Sequence, residues 1–477
     1  MDIVQRQYWV LFVMLGASAC TSVPSAPERP SMPVLAPEFV STDSTTLTAE
    51  PGAMNWWRAF DDPILGRLVE QALGENKDLA VAAANIETAR ALLGRQVLAQ
   101  SFSTSSSADV EIGRAAREDA DTELSGRGQI GATWEFDAFG RLSAATQSAM
   151  FQLEQLKEIR RDTAVIIAAE TALAYVDYRG NQVRLAVAQS NADLQGESVE
   201  LLRVLFENGR ATRLDLERAE AQYRTTLASL PQLEINIRTA IIRLATLTGR
   251  TDMDLTDLLG EATDTAATIP GPPQTLEIDT PAALIRRRPD IRAAEAEIAR
   301  RLALGDVERA RLFPTLTFNA NVLSLFTEDN VSSDSFGFGI GPAISWEGPD
   351  LRRVDADISI ADAETRAAYA AYERTVVEAI GEVELALVSY VQEQARREDL
   401  ESAANAAARA VELARLRFDE GLDDFLDVID AQRTLLDAQD RLETNRLSTT
   451  RQAIATYRAL GGIWQDEAFA NATAEQE

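Results

Sequence analysis

The residues of this chain that could do chemistry are mostly carboxylates, and they gather at two similar turns. FENGRATRLDLERAEAQ begins at Phe206 and FDEGLDDFLDVIDAQRT begins at Phe418. Each has a glycine three residues after its phenylalanine, Gly209 and Gly421, and runs through Leu-Asp into a helical pattern. The first turn carries Arg210, Arg213 and Asp215; the second carries Leu422 and an acidic cluster of Asp423, Asp424, Asp427 and Asp430. Asp427 and Asp430 stand three residues apart, which puts both on one face of a helix.

What these carboxylates can do is bounded by what the chain lacks. Histidine, the commonest general base and transition-metal ligand, is absent from all 477 residues. A single cysteine excludes thiolate zinc sites and intrachain disulfides. No glycine-rich phosphate loop, nucleophile elbow or Ser/Lys constellation is found. The sequence is read as a non-enzyme with no cofactor. With 75 acidic against 46 basic residues, a formal net charge of -29, its surface repels nucleic acid.

The elements that position the two turns repeat. The offset that carries Phe206 onto Phe418 also carries Asp78-Leu79 onto Asp290-Ile291, Trp134-Glu135 onto Trp346-Glu347, and Arg141 onto Arg353. Coincidences would scatter over many offsets, so a constant one predicts a tandem duplication of a half-protein. Residues 55–267 are read as the first repeat and 268–477 as the second, with a C-terminal segment beyond its last helix. Each repeat opens with a short helix and one of about twenty residues. Strands follow at roughly 102–113 and 127–137, and at roughly 314–326 and 334–347. Leu316, Phe318, Ala320 and Val322 alternate with polar residues, as do Phe336, Phe338, Ile340 and Ile344 with glycines. Such alternation fits membrane-barrel strands, and also a half-buried hairpin of a soluble sheet.

Long helices are predicted next, at about 140–207 and 351–420, neither interrupted by proline. Each is ~100 Å long at the usual rise per residue. Return helices at about 212–248 and 424–460 follow the turns, the first kinked or broken at Pro231. Ala403, Ala407, Val411, Ala414 and Phe418, and likewise Leu230, Leu233, Ile237, Ile241 and Leu244, form coiled-coil-like seams. Four strands cannot close a barrel, and open edges cannot sit in hydrocarbon, so membrane-spanning strands here require several protomers.

At the N-terminus, residues 1–19 read as a signal peptide, with an apolar core too short to span a bilayer. LGASAC, ending at Cys20, resembles a bacterial lipoprotein cleavage box, departing from it at Ala17. The resemblance implies lipidation at Cys20, and Thr21 after it implies outer-membrane retention. Residues 20–54, rich in proline, serine and threonine, read as an extended tether.

Four blocks carry a wider resemblance: WWRAFDDPILGRLVEQALGENKDLAVAAANIETARA, RRRPDIRAAEAEIARRLALGDVERARLFPTLTF, FLDVIDAQRTLLDAQDRL and the closing YRALGGIW. From about Asn55 to Trp464 the chain resembles the TolC/OprM outer-membrane factor family, in the branch serving resistance–nodulation–division pumps. The resemblance implies an α+β membrane fold: a homotrimer whose protomers each give four strands to a shared outer-membrane barrel, continued by a helical periplasmic tunnel. It implies a passive efflux channel, partnered by outer-membrane lipids, a periplasmic membrane-fusion adaptor and an inner-membrane pump. It also implies an equatorial domain from about 251–281 and 461–477. Gly209, Arg210, Gly421 and Leu422 fall at the adaptor-facing tip, and Asp427 and Asp430, with Asp215 and Asp423, at a periplasmic gate. The latch of some members joins an aspartate, matched by Asp215, to an arginine and a tyrosine. Asp423 and Phe418 stand in the places of these last two, so Arg210 or Arg213 is expected to pair with Asp423 or Asp424 instead. A tunnel for type I protein secretion and a soluble coiled-coil scaffold are the alternative readings.

Overall fold

The computed structural model describes residues 39, 47–48, 55–114, 122–259, 268–273, 275–277, 280–327 and 336–462. The signal peptide, Cys20, nearly all of the tether and the C-terminal 463–477 lie outside the described residues. The chain divides into two compact units. One takes in Thr88–Glu154 and Glu295–Ala371; the other takes in Gln155–Ala294, Tyr372–Glu477 and the stretch before Thr88 from Met32.

In chain order the elements begin with β1 (Leu47–Thr48), a 3-10 turn (Trp56–Phe60), α1 (Pro63–Glu75) and α2 (Lys77–Leu98). Then come β2 (Ser103–Arg114), β3 (Thr122–Phe136), α3 (Arg141–Glu207), α4 (Arg213–Leu247) and the short α5 (Thr256–Leu259). Next are β4 (Leu276–Glu277), α6 (Pro281–Arg287), α7 (Pro289–Ala310), β5 (Thr315–Thr327) and β6 (Phe336–Ser345). The long α8 (Arg352–Asp419) and its return helix α9 (Phe425–Ala459) complete the described chain. The offset between the two turns maps both ends of α2 onto those of α7, and both ends of α4 onto those of α9. No helix among the described residues is long and apolar enough to cross a membrane.

The first unit is built on a four-stranded antiparallel sheet in the order β2-β3-β5-β6. Its register puts Ile130 opposite Val322, Trp134 opposite Phe318, Val322 opposite Phe338 and Ala320 opposite Ile340. Directly paired residues share a face, so the alternation in each strand adds up to one apolar face. Ser105, Gln129, Asn319, Asn321, Gly339 and Gly341 belong to the other face. In the protomer the apolar face is bare: Ile112 is 73% exposed, Phe338 80% and Ile340 69%. The outer edges of β2 and β6 have no neighbour among the described strands. Two indoles at equivalent places in the repeats tie the strands to what precedes them. Trp134 Nε1 donates to the Gln100 carbonyl and Trp346 Nε1 to the Leu312 carbonyl, both at 3.1 Å.

The second unit is helical, and small residues let its helices approach closely. Along α3, Ala164, Ala168, Ala172, Tyr175 and Val176 are fully buried at three- and four-residue spacings. The same core takes Trp56, Leu68, Leu244, Leu447 and Ile454, with Trp56 stacked on Tyr457 at 5.2 Å. At Gly180 a methyl group would lie 2.8 Å from Leu447 Cδ1, so a larger residue there would have to displace the Leu447 side chain. The segment between the halves joins this core through Leu255, Leu259 and Leu276, and the Thr450 and Tyr390 hydroxyls donate to the carbonyls of Pro270 and Pro273.

Two expectations are corrected here. Helix α4 is not broken at Pro231, which lies inside it on an exposed side. The buried seam of α8 is Ala404, Ala407 and Val411, continued by half-buried Ala414 and Phe418. Ala403 is exposed, because the stripe facing α9 starts one residue later than expected.

Candidate functional site

The two turns end α3 and α8 in the same way. Gly209 and Gly421 have φ of 71° and 70°, the left-handed conformation that disfavours other residues. The Gly209 amide donates to the Phe206 carbonyl (2.9 Å) and the Arg210 amide to Leu205 (2.7 Å). The Gly421 amide donates to Phe418 (2.9 Å) and the Leu422 amide to Arg417 (2.9 Å). These are paired C-caps, and no atom crowds either glycine, so backbone conformation rather than space selects the residue.

One apolar cluster joins the helices at the turns. Val199 and Leu202 of α3, Ala219 of α4, and Phe425, Val428 and Ile429 of α9 are buried together, with Ala414 and Phe418 of α8 against them. Phe418, in the tyrosine's place, meets Phe425 edge-on at 4.9 Å. A groove of about 210 Å³ opens beside this cluster, lined by Leu201, Phe418 and Phe425 and rimmed by Glu197, Arg415 and Asp419.

The starts of α4 and α9 differ, and this separates the carboxylates. At the first turn Thr212 and Asp215 form a reciprocal capping box: the Thr212 hydroxyl accepts from the Asp215 amide, and the Asp215 carboxylate accepts from the Thr212 amide and hydroxyl. Asp215 is therefore engaged locally. The equivalent residues are Asp424 and Asp427, and a carboxylate at the N-cap has no proton to donate to a second carboxylate. The Asp424 side chain makes no cap bond. Asp427 and Asp430 are both exposed, on the side of α9 opposite buried Val428 and Gln432. Asp430 lies 3.1 Å from Arg433, and the Asp427 side chain has no hydrogen bond or ion pair among the described residues.

The expected latch cations are elsewhere. Arg213 pairs with Glu217 one turn along its own helix (2.9 Å), and Arg210 forms no ion pair among the described residues. Asp423 is held by Arg417, which reaches back over the turn from the end of α8. The hydrogen bond from Arg417 outweighs the desolvation of Asp423 and keeps its carboxyl below the usual carboxylate range. Sequence reasoning misses Arg417 because an ion pair across a turn has no fixed spacing. The Thr212-x-x-Asp215 box is legible as a capping signature.

Above the turns, α3 meets α9 through polar pairs. Gln432 Nε2 donates to Ser198 Oγ (2.9 Å), Asn191 Nδ2 donates to Gln439 Oε1 (2.7 Å), and Arg184 Nε lies 2.8 Å from Asp440. No cluster of three or more His, Cys, Asp or Glu suited to a metal occurs among the described residues. The turns present carboxylates, with Asp427 and Asp430 on the exposed side of α9.

This fold and site define a class of membrane protein. The family model for "Outer membrane efflux protein" matches the chain twice, over residues 68–250 and 280–462, and the second match keeps the offset of the repeat at both of its boundaries. The chain belongs to this family and is an outer-membrane protein. It is 27% identical to "Pyoverdine export outer membrane protein OpmQ" of Pseudomonas putida, covering 96% of this chain and 98% of that one. It is 28% identical to "Toluene efflux pump outer membrane protein TtgF" of the same species, covering 97% and 98%. Among solved structures, the outer-membrane channel OprN superposes with a TM-score of 0.82 at 33% identity, covering 92% of this chain and 99% of that one.

Proposed function

We propose that this chain is one protomer of a homotrimeric outer-membrane channel, passively conducting small molecules expelled by an inner-membrane pump through a periplasmic adaptor. The observation that carries this reading is the bare apolar face of the sheet together with its two unpaired edges. In hydrocarbon the face is favourable and the edges are not. Lipid covers the face and other copies of the same sheet pair the edges, and three copies close a barrel of twelve strands. The other, Ser/Asn/Gly-rich face then lines the lumen, in keeping with the inner surface of such barrels. Two tandem repeats place the two turns at equivalent positions in the wall, and Cys20 carries the lipid anchor.

At the tip, the exposed groove and the backbone of Gly209, Arg210, Gly421 and Leu422 meet the adaptor. Asp215 and Asp423 are engaged at the turns themselves. Asp427, which has no side-chain partner among the described residues, and the exposed Asp430, which pairs with Arg433 on its own helix, form the gate. Three-fold symmetry turns each into a ring of carboxylates, which favours cations. Like charges at close quarters repel, so a tight closure relies on apolar contacts such as Phe418 on Phe425.

Purified protein reconstituted in planar bilayers tests this reading. The expected result is a heat-modifiable trimer that conducts, with altered conductance in Asp427→Ala/Asp430→Ala. A protein with neither oligomer nor conductance would overturn it.

A further inference from the structure

The interface between α3 and α9 contains a mismatch that the channel reading does not use. Gln195 is 2% exposed, and neither its amide oxygen nor its amide nitrogen has a hydrogen-bond partner. A buried amide in that condition destabilises the arrangement that holds it. Gln195 lies between the two bonded rungs of the interface. Ser198 bonds Gln432 and Asn191 bonds Gln439, with equal spacing along the two antiparallel helices, so the register sets Gln195 opposite Leu435. Asn191, Ser198 and Gln432 are themselves 3%, 5% and 3% exposed. Of these three buried polar side chains of α3, Ser198 and Asn191 bond glutamines of α9 and Gln195 bonds none.

We propose that this ladder is a two-state switch in which Gln432 bonds either Ser198, as here, or Gln195. Ser198 can release Gln432 without becoming an orphan, because its hydroxyl already donates to the Leu194 carbonyl at 3.0 Å. Gln195 and Ser198 are one turn apart on the same helix, so exchange of partners moves α9 along α3 by a fraction of a turn. Interfaces of packed helices are bistable rather than continuously deformable, and a shift of that size is of the kind that switches them. Gln432 is two residues beyond Asp430 and five beyond Asp427 on one rigid helix, so the movement is delivered to both carboxylates. This last step rests on the gate reading above; the switch itself does not.

Two variants push the switch in opposite directions. Gln195→Leu removes the orphan and favours the present state. Ser198→Ala removes the present partner of Gln432 and favours the other. The helix separation is read directly by pulsed dipolar spectroscopy on the full-length trimer, spin-labelled through Glu200→Cys and Arg433→Cys and diluted with unlabelled protomers. Both label sites are exposed. The unmodified ladder is expected to give two distance populations. Gln195→Leu should enrich one by about fivefold or more, the scale of an unsatisfied buried amide, and Ser198→Ala should enrich the other. In Gln195→Leu/Ser198→Ala the effect of the serine change should vanish, because Gln432 then has neither partner. A single population unmoved by either variant, or both variants moving it the same way, would overturn the switch. Conductance of the same trimers separates the two claims: distances that move while conductance does not would count against the gate and leave the switch standing.

Discussion

Arg417 holds Asp423 across the second turn, its Nη2 2.8 Å from Asp423 Oδ1 and its Nε against the other carboxylate oxygen. Neither residue has a like counterpart at the first turn. At the first turn the equivalent of Arg417 is Leu205, and the equivalent of Asp423 is Ala211. The second turn thus carries an ion pair that its equivalent cannot form.

Arg417→Ala is expected to release Asp423 and make the tip more negative. Reversal potentials of reconstituted channels under a salt gradient should then shift further toward cations. The Asp423 carboxyl is held below its ordinary value by the arginine, so the pair is present above about pH 4 and is lost as pH falls through the depressed folded value. The effect of the substitution should be the same at about pH 5 and about pH 7, and disappear only in stronger acid.

Asp424→Thr should build at the second turn the capping box that Thr212 and Asp215 make at the first. The new threonine would engage Asp427 and, on the gate reading proposed above, withdraw it from the channel. A cap of this kind is worth about 0.5–2 kcal/mol, so the protein should melt at a higher temperature while conducting cations less selectively. Thr212→Ala, by contrast, should lower the melting temperature by a similar free energy and free Asp215.

The carboxyl of Asp162 gives the helical unit a pH dependence. Burial, then the neighbouring Asp290, pushes it up to about 6; Arg288 opposes this, Glu382 adds to it and Arg458 opposes it. Arg288 is committed elsewhere, forking onto Asp290, bonding Glu382 at 3.0 Å and capping the Ala459 carbonyl at 2.8 Å. A carboxyl raised in the folded state binds its proton more tightly there than in the unfolded chain. Stability is therefore highest below about pH 4 on this account and falls as pH rises through about 6. Asp162→Asn should stabilise the protein at about pH 7.5, by at most about 3 kcal/mol and less where solvent screens the group, and leave it unchanged near pH 4. Thermal melts across that range check it.

On the sheet, the two faces should respond differently to the same charge. Ile340→Asp puts a carboxylate on the apolar face and Gly341→Asp puts one on the other. A charge on a lipid-facing strand position costs up to about 2–4 kcal/mol, falling toward the interfaces. Outer-membrane yield of the first variant should drop sharply and that of the second should not. Equal loss from both would show that the apolar face does not meet lipid.

Much of this architecture is carried by short-range pattern. Alternation places strands at 314–326 and 334–347, and they lie at Thr315–Thr327 and Phe336–Ser345; the long helices expected at 140–207 and 351–420 lie at Arg141–Glu207 and Arg352–Asp419. Alternation, the absence of proline and a terminating glycine all act within a few residues, and both halves of the chain show each of them. Tertiary structure decided what depends on which faces meet. Asp215 and Asp427 occupy equivalent positions, yet one is capped and the other bare, because threonine stands before the first and aspartate before the second. Arg417 rather than Arg210 or Arg213 reaches Asp423, since the turn folds the end of α8 back over it. Ala404 rather than Ala403 enters the seam, and Gln195 finds no partner, because the register of α9 against α3 and α8 is set by the fit of whole helix surfaces. Local pattern determines each helix and strand; only the packed helices determine which polar groups are satisfied and which remain available to move.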